Sequence, residues 1–217
     1  MKEKKKDWLP IIIYISAFLG VQIIAAFIYG YFFAENKNIS ENKMLSITNI
    51  IIYATIAIPF IVIYYKKYIE DIKRLTKKDI ITMIISMAIL FGVNFGLSTL
   101  FLSLNVEMAN QDMAESLLNY YKPLMIISLV LFGPIAEEIV YRYSIDTIAK
   151  NEIAFIIISS LAFGAIHGLG IVTILYVLMG VILAICYLKT NRNIAATTIL
   201  HIINNALGVL MMIALIR

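Results

Sequence analysis

Long apolar runs dominate this chain and restrict it to a membrane-embedded helical fold. Seven runs can be drawn, at about 9–34, 44–65, 79–103, 123–143, 153–168, 169–188 and 194–215. About 20 apolar residues cross the ~30 Å hydrocarbon layer at 1.5 Å per residue, and most of these runs reach that length. Only 15% of the 217 residues are charged, against about 25% in soluble domains. We therefore predict an all-α, polytopic transmembrane bundle of about seven spans, with an eighth short or interfacial helix as an alternative, in one integral membrane domain (1–217).

The basic residues predict the orientation of this bundle. If the N-terminus is cytoplasmic and the runs alternate, fourteen Lys and Arg residues fall inside and four fall outside, namely Lys37, Lys43, Lys122 and Arg217. Basic residues concentrate at the cytoplasmic ends of spans, which favours this orientation. The net charge of +4 belongs to these span ends, so the partner we expect is a lipid bilayer and not a nucleic acid. The first run exceeds the 7–15 residues of a signal-peptide core and is expected to remain as an anchor.

The candidate chemistry lies in the C-terminal part of the chain, 123–217. The three spans and loops of 1–122 hold no acid, His, Lys or Arg in their apolar interiors, whereas the later spans hold Glu137, Glu138, His167 and His201. Ionisable groups at membrane depth are costly, so they are rarely placed there without a polar partner or a task. Carboxylates and imidazoles are the usual groups that activate water. Hydrolysis is therefore the leading hypothesis.

The acidic pair is followed by an arginine at helical spacing. Glu138 and Arg142 are four residues apart, so on a helix they meet on one face and pair. Glu137 points about 100° away, so the two acids cannot both face one small site. Glu137 is then left to face a cavity as a general base, although both acids could instead only hold helices together. Pro134, one turn earlier, removes a helix hydrogen bond and frees a carbonyl that needs another partner.

Two further pairs of residues repeat the four-residue spacing. Phe163 precedes His167, so its ring packs beside the imidazole, and His201 precedes Asn205. The imidazole N–H and the amide group of the second pair could hold the oxyanion that develops when water attacks an amide carbonyl. Asn204 is about 100° away and is not expected to join them. Each pair alone is also explained by packing or by interhelical hydrogen bonds, but together they supply the parts of an acyl-transfer site.

A metal site is an alternative reading of the same residues. Glu137, His167 and His201 form a two-His, one-carboxylate set, which suffices for a catalytic zinc with an open position. The HExxH pattern of soluble zinc proteases does not occur. The residues alone leave open whether water is bound to zinc or held directly by Glu137 and His167.

Three motifs resemble those of the CPBP family, the CAAX-processing and bacteriocin-processing intramembrane proteases, also called the Abi family. Residues 137–142 (EEIVYR) resemble its EExxxR motif, residues 163–167 (FGAIH) its FxxxH motif, and residues 201–205 (HIINN) its HxxxN motif. The motifs occur in the family order on successive apolar runs. The resemblance covers about residues 124–210.

The resemblance implies a helical membrane endopeptidase. By analogy, Glu137 and His167 activate the water, and His201 and Asn205 support the oxyanion. The remaining motif residues, with structural roles, are Glu138, Arg142 and Phe163. The family has been described both as metalloproteases and as metal-independent glutamate enzymes; the second is favoured here because an Asn donor fits an oxyanion hole better than a metal shell.

The substrate implied by the resemblance is a peptide or lipidated protein, of the CAAX type or from bacteriocin or peptide maturation. It would reach the site from the membrane or from the cytoplasmic side. The Lys-, Ile- and Asn-rich composition is typical of a low-GC bacterium, which predicts a multi-pass protein of the bacterial cell membrane. The competing hypotheses are a non-catalytic immunity or peptide-binding membrane protein and, with less support, a proton-coupled transporter.

The depths of the three motifs do not agree. Glu137 and His201 lie about 9 and 11 Å from the inner ends of their runs, but His167 lies about 21 Å from the start of its run. Residues 152–159 must therefore extend beyond the hydrocarbon, or that helix must tilt. The boundary near Gly168 and Gly170 is the least defined.

Overall fold

The computed structural model describes residues 6–34, 41–104, 122–168 and 170–215. These residues form helices and no strand. The helices are α1 (Leu9–Ala34), α2 (Glu41–Lys73), α3 (Lys77–Ser103), α4 (Lys122–Ile148), α5 (Glu152–Ile166), α6 (Thr173–Lys189) and α7 (Ile194–Leu215). The predicted all-α bundle of seven helices is confirmed, and an eighth helix is absent from the described ranges. Lys37 and Arg217, two of the predicted outer basic residues, lie outside those ranges.

Two of the seven helices are shorter than predicted. Five are long and apolar enough to cross a membrane, whereas α5 and α6 have 15 and 17 residues. The short helices form a tightly packed hairpin. A Cβ atom on Gly164 would lie 2.3 Å from Val177 Cγ2, and one on Gly180 would lie 2.9 Å from the Cα of Ser160. Glycine at both positions therefore allows the two backbones to approach closely.

The end of α4 halves the disagreement in depth between Glu137 and His167. The helix continues to Ile148, past the predicted end at residue 143. Glu137 is therefore about 16 Å from the end of its helix, closer to the ~22 Å that separates His167 from the start of α5. The predicted end was wrong because the apolar run stops before the polar residues Ser144 and Asp146. In the fold they are only 0% and 7% exposed.

One end of the bundle, which we call the basal end, is formed by Asp7 and the connections 74–76, 149–151 and 190–193. The backbone N–H of Asp7 donates to Thr147 Oγ1 (2.9 Å). The carboxylate of Asp7 accepts from the hydroxyl of Tyr64 on α2 (3.0 Å). These contacts place the N-terminal segment beside the ends of α2 and α4, as alternating spans require. The opposite end is called the distal end.

Polar contacts join the remaining connections at the basal end. Asp71 Oδ2 accepts from the backbone N–H of Ile194 (2.8 Å), which links the end of α2 to the start of α7. Arg192 pairs with Asp146 (3.2 Å) and with Glu152 (2.8 Å). The Arg192 contacts tie the α6–α7 connection to α4 and α5. The connections α2–α3, α4–α5 and α6–α7 therefore share one end.

The central helix α4 is not uniformly α-helical. Two segments, Ser128–Phe132 and Ile139–Ser144, have π-helical hydrogen bonding and flank the α-helical turn Gly133–Glu138. In the first segment the N–H of Gly133 donates to the carbonyl of Ser128, five residues earlier. The equivalent donor for the carbonyl of Leu129 would be residue 134, which is a proline without an N–H. Such π turns are frequent at functional sites.

Candidate active site

The predicted ion pair of Glu138 and Arg142 is confirmed. Arg142 Nε lies 3.3 Å from Glu138 Oε2, and both side chains are fully buried. Arg142 Nη1 also donates to Ser159 Oγ on α5 (2.5 Å), and the guanidinium carbon lies 5.2 Å from the ring centroid of Phe163. The pair therefore connects α4 to α5 on the basal side of the site.

His201 lies between the two glutamates. Its Nδ1 is 3.0 Å from Glu138 Oε1 and its Nε2 is 3.7 Å from Glu137 Oε2. Because Glu138 is paired with Arg142, its ionised carboxylate can only accept, so Nδ1 of His201 is the donor. The side chains of the two acids diverge as expected, but the imidazole of His201 is wide enough to contact both.

Glu137 is buried and has a second neighbour on α2. The residue is 4% exposed, and its Oε1 lies 3.4 Å from the donating hydroxyl of Tyr53. A Cβ atom on Gly133 would lie 3.4 Å from the Tyr53 ring, so the glycine lets this ring pack against α4. Tyr53 was not predicted, because the first three spans hold no acid, His, Lys or Arg in their apolar interiors. The available signal was a hydroxyl-bearing ring within an apolar run.

His167 ends α5 and is oriented by the backbone. Its Nδ1 lies 2.7 Å from the carbonyl oxygen of Phe163. A carbonyl only accepts, so Nδ1 carries the hydrogen, and Nε2 is the acceptor nitrogen of the neutral ring. Tyr176 of α6 stacks on the imidazole at 4.2 Å and 15°. Phe163 contacts both imidazoles, with ring centroids 4.7 Å from His167 and 5.7 Å from His201. It lies beside the imidazole as expected, whereas Tyr176 was missed.

Three amide side chains form a series of hydrogen bonds across the bundle. Asn94 Nδ2 on α3 donates to Asn204 Oδ1 (3.1 Å), and Asn204 Nδ2 donates to Asn205 Oδ1 (3.3 Å). Asn205 Nδ2 in turn donates to the carbonyl of Leu129 (3.0 Å), which satisfies the acceptor that Pro134 leaves without a backbone donor. Asn205 of α7 thus supplies the hydrogen-bond partner that was expected for the carbonyl freed by Pro134. The expectation that Asn204 stays apart is wrong, since it orients the amide of Asn205.

One cavity of about 950 Å³ joins the predicted catalytic residues. Glu137, His167, His201 and Asn205 all line it, together with Tyr53. Glu138 and Arg142 do not line it, in keeping with their expected supporting role. The wall is mostly apolar and includes side chains of α1, α2 and α3. A site of this kind can hold an apolar peptide segment beside a carboxylate and two imidazoles.

The described residues contain no group of three His, Cys, Asp or Glu side chains arranged to hold one metal ion. Nδ1 of His201 is bound to Glu138, and Nδ1 of His167 is bound to the backbone carbonyl of Phe163. Such contacts fix an imidazole ring and are equally common in rings that bind a metal through Nε2. We derive no step through a metal.

Comparisons with known proteins bear on the same region. Residues 119–207, which contain all three motifs, match the family model described as "Type II CAAX prenyl endopeptidase Rce1-like". One relative is the UPF0177 protein YaiH of Lactococcus lactis subsp. lactis (strain IL1403), 28% identical over 147 residues, which are 66% of this chain and 61% of the relative. An uncharacterised protein of Mycoplasma capricolum subsp. capricolum is 26% identical over 200 residues, 82% of this chain and 59% of the relative.

The chain spans about three fifths of the length of these curated relatives. No solved structure matches it. The resemblance drawn from the EExxxR, FxxxH and HxxxN motifs is confirmed by the family match. Residues 119–207 of the chain are thus similar to the Rce1-like type II CAAX prenyl endopeptidases.

Proposed function

We propose that this chain is an intramembrane endopeptidase of the glutamate type, which hydrolyses a peptide bond in a membrane-associated peptide or lipidated protein. The observation that carries the proposal is that residues from all three motifs line one mostly apolar cavity. The bacterial relatives support a location in a bacterial cell membrane. A cavity for binding alone would not require a carboxylate and two imidazoles at its wall.

Glu137 and His167 activate the water in this proposal. The carboxylate of Glu137 takes a proton from the water as the water oxygen attacks the carbonyl carbon. Nε2 of His167 accepts a hydrogen bond from the remaining O–H of the water and so orients the nucleophile. When the tetrahedral intermediate collapses, the C–N bond breaks, and Glu137 returns the proton to the leaving amine. Burial of Glu137 excludes bulk water from this exchange.

His201 and Asn205 hold the oxyanion. Glu138, which is paired with Arg142, binds the Nδ1–H of His201 and fixes the ring. In this proposal the Nε2–H of the same ring donates to the developing charge. The amide nitrogen of Asn205 carries two hydrogens, of which one is bound to Leu129 and the second is available for the oxyanion.

Substitution of the base tests the proposal. Glu137→Gln keeps the shape of the side chain and removes the base, so cleavage of a peptide library in detergent or liposomes should fall by about 10²–10⁴-fold, the usual contribution of a general base. The matched control is Glu70→Gln, because Glu70 is an exposed acid on α2 outside the cavity. Wild-type turnover by folded Glu137→Gln would remove Glu137 from the mechanism. Activity lost to a chelator and restored by zinc would overturn the metal-independent chemistry.

A further inference from the structure

The cavity occupies only the distal half of the bundle. Its lining residues fall in the segments 18–29, 44–53, 87–99, 129–137, 163–179 and 201–211. The parts of the long helices that lead to the basal end, such as 54–73 of α2 and 138–148 of α4, contribute no residue to this cavity. Glu137 and His201 thus form the floor of a cavity that extends from mid-bundle towards the distal end.

The interior of the basal half is packed with side chains, and an apolar recess of about 380 Å³ lies beside it between α2 and α7. Arg142, Ile145, Phe155, Tyr187 and Ile194 are between 0% and 5% exposed. Packed interiors leave few voids larger than a water molecule. The described residues of the basal half therefore separate the catalytic groups from the basal end.

Charge identifies the side of the membrane that each end faces. The described basic residues near the basal end, apart from buried Arg142, are Lys6, Lys66, Lys67, Lys73, Arg74, Lys77, Lys78, Lys150, Lys189 and Arg192. In the distal half the described ones are Lys43 and Lys122. By the positive-inside rule the basal end is cytoplasmic. The cavity therefore lies on the extracytoplasmic side of the catalytic groups.

Part of the cavity wall is also exposed on the outer surface of the bundle. Phe91 and Phe95 of α3 and Met211 of α7 line the cavity, yet they are 52%, 65% and 53% exposed. In a membrane these apolar side chains face lipid. An apolar chain could therefore pass laterally from the bilayer into the cavity along α3 and α7.

We propose, resting on the proposed function, that the substrate is an apolar, membrane-anchored peptide segment whose scissile bond lies in the extracytoplasmic half of the bilayer. It reaches Glu137 from that leaflet. A C-terminal tail presented from the cytoplasm would enter from the opposite end of the bundle, which the cavity around Glu137 does not reach. Of the two routes expected from the family resemblance, from the membrane and from the cytoplasmic side, this proposal takes the route from the membrane.

Cysteine labelling in intact cells tests the side of access without requiring activity. The single cysteine, Cys186, is fully buried, so the wild-type chain is the unlabelled control. Three variants are compared with a membrane-impermeant maleimide. They are Ser98→Cys in the cavity wall, Lys122→Cys at the distal end and Lys150→Cys at the basal end. We expect Ser98→Cys and Lys122→Cys to react in intact cells, and Lys150→Cys to react only after permeabilisation. The reverse pattern, or a Ser98→Cys variant that reacts only after permeabilisation or never, overturns the proposed route.

Paired reporter substrates separate this inference from the protease proposal. Two proteins carry the same membrane anchor, with the cleavable segment at its extracytoplasmic or its cytoplasmic end. In detergent both should be cut, whereas in cells cleavage of the cytoplasmic reporter should be lost. Equal cleavage of both in cells overturns the side of access and leaves the protease intact. Failure to cut either reporter in detergent counts against the protease, while the labelling still decides the side of access.

Discussion

His201 is the residue on which the site depends most, because its imidazole contacts both glutamates of the EExxxR motif. One nitrogen is held at 3.0 Å by Glu138, and the other faces Glu137 at 3.7 Å. A ring fixed at one edge by an ionised carboxylate keeps its other edge directed at the cavity. The arrangement explains why two adjacent acids have different tasks, one as a support and one as the proposed base.

Loss of Arg142 should affect stability first. Arg142→Ala leaves Glu138 buried and unpaired, and breaking a buried pair costs about 3–5 kcal/mol. The thermal midpoint in detergent and the membrane yield measure this loss. Lys73→Ala is the control, since Lys73 is an exposed cation on α2 and substitutions at such surface positions usually change stability by less than about 0.5 kcal/mol. Normal yield with lost cleavage would instead place Arg142 in the chemistry.

Tyr53 should affect catalysis more than folding. Tyr53→Phe keeps the ring packed on Gly133 and removes the hydroxyl that donates to Glu137. A net hydrogen bond contributes about 0.5–1.5 kcal/mol, so kcat should fall by about 2–10-fold while the thermal midpoint changes little. Tyr65→Phe, at an exposed ring on the same helix, is the control. An unchanged kcat would show that Tyr53 only packs against Glu137.

At the scale of elements, the sequence predicts what is local and misses what comes from other helices. Pairs four residues apart, such as Glu138 with Arg142, follow from helix geometry alone. Tyr53, Asn94 and Tyr176 reach the site from α2, α3 and α6, and no periodicity within one run reports which helices are neighbours. The end of α4 was placed too early for the same reason. A buried ion pair and an exposed charge look alike until the partner helices are known.

The α5–α6 hairpin depends on close backbone contact. Gly164→Ala would place a methyl group 2.3 Å from Val177 Cγ2 and 3.1 Å from the backbone nitrogen of Val177. Overpacking costs about 1–3 kcal/mol, so the thermal midpoint should fall. Cleavage should fall as well, because His167 and Tyr176 stack across this hairpin. Gly96→Ala on α3, which would meet nothing within 4 Å, is the control, and an equal response of both variants would contradict the close-packing argument.

At the scale of the whole molecule, the bundle is divided into a closed basal half and a distal half with the cavity. Asp71 is central to the closed half. Its side chain is 2% exposed and pairs with Arg74 (2.5 Å) and Lys67 (3.3 Å). Its carboxylate also accepts from the N–H of Ile194, and its backbone carbonyl from Asn193 (2.7 Å). A negative charge at the start of α7 complements the helix dipole.

Asp71→Asn should therefore loosen the basal half as a unit. It removes a charge that serves two cations and a helix terminus, and hydrogen bonds to charged groups contribute about 1.5–3 kcal/mol. Hydrogen exchange should increase in the first turn of α7 and at the end of α2, with a lower thermal midpoint. Glu70→Gln, the neighbouring exposed acid, should leave both measurements unchanged. Faster exchange confined to residue 71 would contradict a role in joining the helices.

The two π turns of α4 let this helix hold additional residues without turning the proposed base away from the cavity. A π turn accommodates about one residue more than the α-helical turn it replaces. Deleting one residue within 128–132 would therefore restore an α-helical turn and leave the residues that follow in nearly the same direction. The same deletion in a regular α-helical stretch would rotate them by about 100°. In this helix an alignment gap of one residue within a π turn is thus compatible with an unchanged direction of the Glu137 carboxylate.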